Sequence, residues 1–201
     1  MTRQKRLPKE ERMRQIRNHA KNVFLRKGFD KTTMEDVIEE TGMSKGGVYR
    51  HYSSTTEMLY DLMIDGNVYR NTLIDEYLEN NKGKNKFEQI GEILVDKALA
   101  STDLMRLYVI FLKSKDYNKD LYNLYPKLKE IAKKQFDVVA KKLEIKEDIF
   151  KDEFLVNYIN GLILSTEILD ARESFDSQRE FLKDTIVNYI MRIEKYDDKE
   201  D

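Results

Sequence analysis

Between Thr33 and Tyr52, hydrogen-bond donors crowd around a pair of glycines. Thr33, Ser44, Lys45, Tyr49, Arg50 and His51 bring hydroxyl, ammonium, phenol, guanidinium and imidazole groups, and Gly46-Gly47 sets bare backbone among them. Donors of these types hold phosphate oxygens and reach base edges, provided that one element presents them together.

The surrounding residues predict such an element. Thr33 is placed to cap a helix start, with Asp36 completing a capping box, and Val37 and Ile38 give that helix a buried stripe. It ends at Thr41-Gly42, where glycine takes positive φ readily. Ser44 caps a second helix from Lys45. On a wheel of 100° per residue, Val48 and Tyr52 share one face, and Gly46, Gly47 and Arg50 share the opposite one. Lys45, Tyr49 and His51 run along the edges. Two glycines in one helical turn cost roughly 2 kcal/mol against alanines, which is useful where a helix must approach another surface closely. This layout is a helix-turn-helix, whose second helix enters the DNA major groove. The alternative reading is a glycine-rich loop after an ordinary helix.

Phe24, Gly28-Phe29, Thr32-Thr33, Val37-Ile38, Gly42-Met43-Ser44, Gly47-Val48-Tyr49 and His51-Tyr52 together resemble the DNA-binding domain of tetracycline-repressor (TetR) type transcription regulators. The likeness covers about the first quarter of the chain and is carried by many spaced positions in order. It implies that Thr33, Ser44, Lys45, Gly46, Gly47, Tyr49, Arg50 and His51 face DNA. Where the family often has a phosphate-binding lysine at the start of the fourth helix, this chain has Thr55, within Ser53-Ser54-Thr55-Thr56. Hydroxyls and helix N-terminal N–H groups also hold phosphate, so Thr55 joins the expected DNA contacts.

Charge divides as a DNA-binding reading requires. Residues 1–52 hold 13 Lys+Arg against 7 Asp+Glu, whereas residues 53–201 hold 23 against 30. The balance of −1 over the 201 residues conceals a basic head on an acidic body. Arg3, Lys5, Arg6 and Lys9 form a basic arm that either reaches DNA or stays a solvated tail. With no Cys there are no disulfides or thiolate metal sites, and no cofactor is expected. No apolar run approaches a membrane span, and the charged N-terminus lacks a signal-peptide core, which predicts a cytoplasmic protein without membrane partners.

Only two prolines, Pro8 and Pro126, interrupt the chain, and long stretches rich in Lys, Glu, Leu, Ile and Tyr predict an all-α fold of about nine helices. The first runs from about Glu10 to Lys27, and the two elements of the motif follow. A long fourth helix spans about Thr55 to Asn80. Further helices are expected near Phe87–Ala100, Thr102–Lys115, Lys119–Leu143 (bent at Pro126), Phe150–Arg172 and Ser177–Lys195, followed by a disordered tail from Asp197 to Asp201. The expected division is a helix-turn-helix domain over 1–54 and a helical ligand-binding and dimerisation domain over 55–201.

The last two helices carry apolar surfaces wider than one packing seam. Phe154, Leu155, Tyr158, Leu162 and Ile163 on one, and Phe181, Thr185, Ile186 and Tyr189 on the other, suit a four-helix bundle between two copies. The other reading is that both helices cover the monomer's own core. The resemblance implies the homodimer, reading paired half-sites of double-stranded operator DNA. It also implies a small-molecule effector held between body helices, whose binding moves the DNA heads apart through the fourth helix. Tyr60, Met63, Asn67, Met105, Tyr108, Phe111, Tyr122 and Tyr125 are the candidates for lining that site, and ordinary core packing explains the same residues.

An enzyme and a helical adaptor are the competing classes. His19 and His51 lie far from any carboxylate cluster, and the sequence has no metal-binding histidine pair, phosphate-cradling glycine loop or nucleophile elbow. An adaptor accounts for long helices but not for the charge division or Gly46-Gly47. The expectation is a non-enzymatic transcriptional regulator, a homodimeric repressor released from its operator by a ligand.

Overall fold

The computed structural model describes residues 7–145 and 153–196. The basic-arm residues Arg3, Lys5 and Arg6, the residue Phe150 and the tail 197–201 lie outside them. Among the described residues there are ten α-helices, one 3-10 turn and no strand. The helices are α1 (Lys9–Lys27), α2 (Met34–Thr41), α3 (Lys45–Tyr49), α4 (Thr55–Asn80) and α5 (Lys86–Leu99). They continue with α6 (Asp103–Ser114), α7 (Lys119–Lys142), α8 (Glu153–Ile168), α9 (Arg172–Ser177) and α10 (Arg179–Tyr196).

Most boundaries follow the sequence signals. Gly28 stops α1 at φ 86° and Gly42 stops α2 in the left-handed conformation at φ 63°, positive φ values that glycine adopts without strain. One segment differs from expectation. The helix foreseen up to Arg172 breaks early, because Asp170 takes φ 52° and the Ala171 N–H turns back to the Ser165 carbonyl. Aspartate tolerates this conformation better than most side chains. The short α9 is the additional helix that results. Pro126 lies inside α7.

Two compact units divide the chain. The first combines residues up to 66 with 106–126, and the second combines 67–105 with 127 onward. In the first, α1 packs on α2, and Ile16, Ala20, Val23 and Phe24 of α1, Val37 of α2 and Val48 of α3 are all buried. The ring of Phe29 meets Phe24 edge-on at 5.3 Å, and Ser114 donates to Asp30 at 3.2 Å, tying α6 to the 3-10 turn. In the second unit α5 packs against both α8 and α10. A Cβ on Gly91 would lie 2.6 Å from a Val187 methyl, so glycine lets α5 and α10 approach closely there.

Candidate nucleic-acid interface

Two locked caps set the turn between α2 and α3. The Thr33 hydroxyl accepts from the Asp36 N–H at 3.2 Å, while the Asp36 carboxylate accepts from the Thr33 N–H at 2.7 Å, a closed capping box. Lys27 reaches the same carboxylate at 2.6 Å. The Lys27 ammonium, then the N–H and hydroxyl of Thr33, hold the Asp36 carboxyl down at about 2. Arg26 pairs with Glu40 at 2.7 Å, so α1 grips both ends of α2. At the next cap, Ser44 accepts from the Gly47 N–H at 3.2 Å and keeps its own hydrogen to donate.

The wheel drawn from sequence matches the burial of α3. Val48 and Tyr52 are 0% and 2% exposed, whereas Ser44, Lys45, Gly46, Tyr49 and Arg50 are all exposed. Lys45 lies 3.3 Å from Glu35 of α2, with both side chains largely in solvent; its ammonium is also 5.6 Å from the centroid of the Tyr49 ring. An exposed pair of this kind is worth about 0–1 kcal/mol and is easily exchanged for a phosphate or base. His51 is half-buried with Nδ1 lacking a hydrogen-bond partner. Burial, then the charges of Arg50, Lys9 and Arg12, push its pKa below the usual value, so the ring is neutral at pH 7.

At the start of α4, Thr55 is half-buried. Glu57 accepts from the Ser53 N–H at 2.8 Å and from the Ser53 hydroxyl at 2.7 Å, and Ser54 accepts from the Glu57 N–H at 3.2 Å. The helix end is thereby satisfied by its own chain, and it carries a carboxylate rather than a lysine.

Sequence reasoning missed Arg17, which is 4% exposed. It faces Tyr52, Asp61 and Asp65, all in the first unit. A cation at helical spacing between Met13 and Ala20, within α1's apolar stripe, is the signal that points to it.

The effector candidates separate between the units. Phe111 is buried with the Tyr125 ring centroid 6.2 Å away; Met63 is buried and Tyr60 and Tyr108 half-buried, all in the first unit. Tyr122, in the same unit, is 61% exposed. Asn67 (half-buried) and Met105 (buried) belong to the second unit. The dimer candidates divide by face. Leu155, Leu162, Ile163 and Ile186 lie in the unit's own core. Phe154 and Phe181 are 57% and 66% exposed, and Tyr158, Thr185 and Tyr189 are half-buried. Phe154 stacks on Tyr158 at 6.2 Å and lies 5.0 Å from Tyr189, joining α8 and α10 in one exposed aromatic surface. Among the described residues no group of three His, Cys, Asp or Glu is placed to hold a metal, and no helix is long and apolar enough to cross a membrane.

Residues 16–62 match the family model of bacterial regulatory proteins of the tetR family. Over 58 residues, 29% of this chain and 28% of the relative, the sequence is 52% identical to an uncharacterized HTH-type transcriptional regulator, YfiR, of Bacillus subtilis. The chain thus aligns with about a quarter of the length of its curated relatives. Across the fold, Salmonella enterica GusR superposes with a TM-score of 0.70 at 17% identity, covering 90% of this chain and 96% of that one. SmeT in complex with triclosan superposes with a TM-score of 0.61 at 14% identity, covering 89% and 90%. The helix-turn-helix of this chain is of the tetR type, and its fold is that of tetR-type regulators.

Proposed function

We propose that this chain, whose residues 16–62 are a tetR-type helix-turn-helix, is a homodimeric cytoplasmic repressor that leaves its operator when a small molecule binds. The observation that carries the reading is the outward face of α3, where exposed donors surround a glycine whose added Cβ would meet nothing within 4 Å. In this reading Lys45, Gly46 and Gly47 approach base edges. Tyr49, His51 and Arg50, with Thr33, Ser44 and Thr55, take the phosphates. The DNA-binding domain covers 1–54, and the remaining residues form the effector and dimer domain. Phe154, Tyr158, Phe181, Thr185 and Tyr189 make the contact with a second copy, because an aromatic surface of this kind is poorly served by water. The effector reading is supported by the likeness to SmeT, a protein solved with triclosan. By linkage, an effector that weakens operator binding is itself weakened by operator to the same factor.

The experiment is selection of bound duplexes from a random pool, repeated with Lys45→Ala and Tyr49→Phe. Removing a side chain that touches a base costs about 1–3 kcal/mol at one position and relaxes the preference there, whereas removing one that touches a phosphate weakens all sequences alike. Lys45→Ala should alter the selected sequence and Tyr49→Phe should not. A parent protein that enriches no sequence refutes the reading.

A further inference from the structure

The contacts of Arg17 account for every donor it has. Its Nε and Nη2 form a fork on Asp65 at 2.7 and 3.1 Å. Nη1 donates to the Tyr52 hydroxyl at 3.0 Å, and Nη1 and Nη2 each reach Glu10 at 3.2 Å. A guanidinium has five N–H groups, and all five are engaged. The Tyr52 hydroxyl passes the chain on, donating to Asp61 at 2.8 Å. Burial first, and the bond to Asp61, raise the Tyr52 pKa, so the hydroxyl stays protonated and serves as donor and acceptor together. Burial alone would lower the Arg17 pKa, but the bonds to Tyr52 and Asp65 outweigh it and the charge is retained.

These residues come from three places that must agree for DNA to be read. Arg17 and Glu10 belong to α1, which also grips α2; Tyr52 closes the turn that continues α3, its N–H bonded to the Val48 carbonyl at 3.1 Å. Asp61 and Asp65 lie one turn apart on α4. Val48, Met58 and Leu59 are each fully buried, but apolar burial is non-directional, and side chains that pack in one register also pack in a neighbouring one. A bidentate fork and a bridging phenol have one satisfying geometry.

We infer that Arg17, Tyr52, Asp61 and Asp65 form a positioning joint that fixes the pose of α3 on α4 and so sets operator selectivity, beyond holding the fold. The inference rests on the DNA-binding reading above. The four residues touch no DNA; they act through the helix that does.

The test separates position from stability. Tyr52→Phe removes one hydroxyl and keeps the ring, and Arg17→Met with Asp65→Leu replaces the fork by an apolar pair, a change that folded proteins often tolerate. Each is melted, followed by circular dichroism, and titrated with the selected operator and with a scrambled duplex at one salt concentration. Scrambled-duplex binding depends on surface cations, which both variants keep. We expect cooperative melting, scrambled-duplex affinity within about twofold of the parent, and operator affinity reduced at least tenfold, each ratio being read at constant salt. Variants that melt cooperatively and keep the parent's operator-to-scrambled ratio overturn the joint. So does failure of both to fold, since the cluster would then be a folding element. A parent that shows no operator preference refutes the underlying reading, and is recognised because the unmodified protein fails.

Discussion

Gly46 and Gly91 sit in helical backbone of the same kind, yet a methyl group added to each would meet opposite surroundings. At Gly46 the new carbon finds nothing within 4 Å; at Gly91 it lies 2.6 Å from Val187 and 3.1 Å from Lys183. The chain itself demands glycine at 91, where α10 crosses α5. Nothing in the chain demands it at 46, where the cost of glycine must be justified by whatever approaches α3 from outside. The same contrast recurs on α10. Ile186 is 1% exposed in the unit's core, and Phe181, on the same helix, is 66% exposed.

The α10 pair gives the largest expected effect. Ile186→Asp buries an unpaired carboxylate and should cost more than about 3 kcal/mol, abolishing cooperative melting. Phe181→Asp should leave the helical circular dichroism intact and shift sedimentation from dimer to monomer at micromolar concentration. If both variants unfold, or Phe181→Asp leaves the sedimentation unchanged, the division of α10 into an inner face and a partner face is wrong.

The two glycines come next, with effects of opposite sign. Gly91→Ala should destabilise by about 1–3 kcal/mol, because Val187 must give way in a packed crossing. Gly46→Ala should stabilise the free protein by roughly 0.5–1 kcal/mol through reduced chain entropy. On operator DNA the order reverses. Gly46→Ala should weaken binding at least tenfold, a loss on the order of 1.4 kcal/mol, and Gly91→Ala should change it little. Denaturant melts alongside operator titrations sharpen the comparison, and an alanine at 46 that lowers stability breaks it.

The smallest effect concerns Lys97, in the second unit, where a charge meets an apolar neighbour without the five-fold satisfaction that Arg17 enjoys. Its ammonium lies 4.5 Å above the ring of Phe136, and burial, then the charge of Arg70, push its pKa down to about 7. Unfolded lysine titrates near about 10.4. Between those values the unfolded chain holds the extra proton, so this group's contribution to stability rises with pH from about 7 to 10. Below pH 7 the full penalty remains. Lys97→Met should therefore raise the melting midpoint at pH 6, and the gain should shrink by pH 10. A gain that is constant with pH would show that Lys97 is solvated.

The legible parts of this protein are those whose signals are local. The Thr33–Asp36 box, the Ser44 cap and the left-handed Gly42 are each set within a few residues, and spacing alone reveals all three. The inward face of α3 follows from 100° per residue. The early end of α8 escapes such reading, because Asp170 supplies a conformation usually announced by glycine. The partners of Arg17 escape too. Asp65 is 48 residues away along the chain, and no periodicity connects them. Wide apolar surfaces on α8 and α10 are visible in sequence, but which residues turn inward is not.

By itself, then, the sequence determined the helices, their caps, the basic head and the arrangement of donors around Gly46, because propensity, capping and helical period act over one or two turns. Only the tertiary structure decided that Gly91 is closed and Gly46 open, that Ile186 is core while Phe181 is surface, and that α3 is tied to α4 through a buried guanidinium. Each of those depends on which helix lies against which. That choice is made by the simultaneous burial of many side chains from distant parts of the chain, and no short window of sequence contains it.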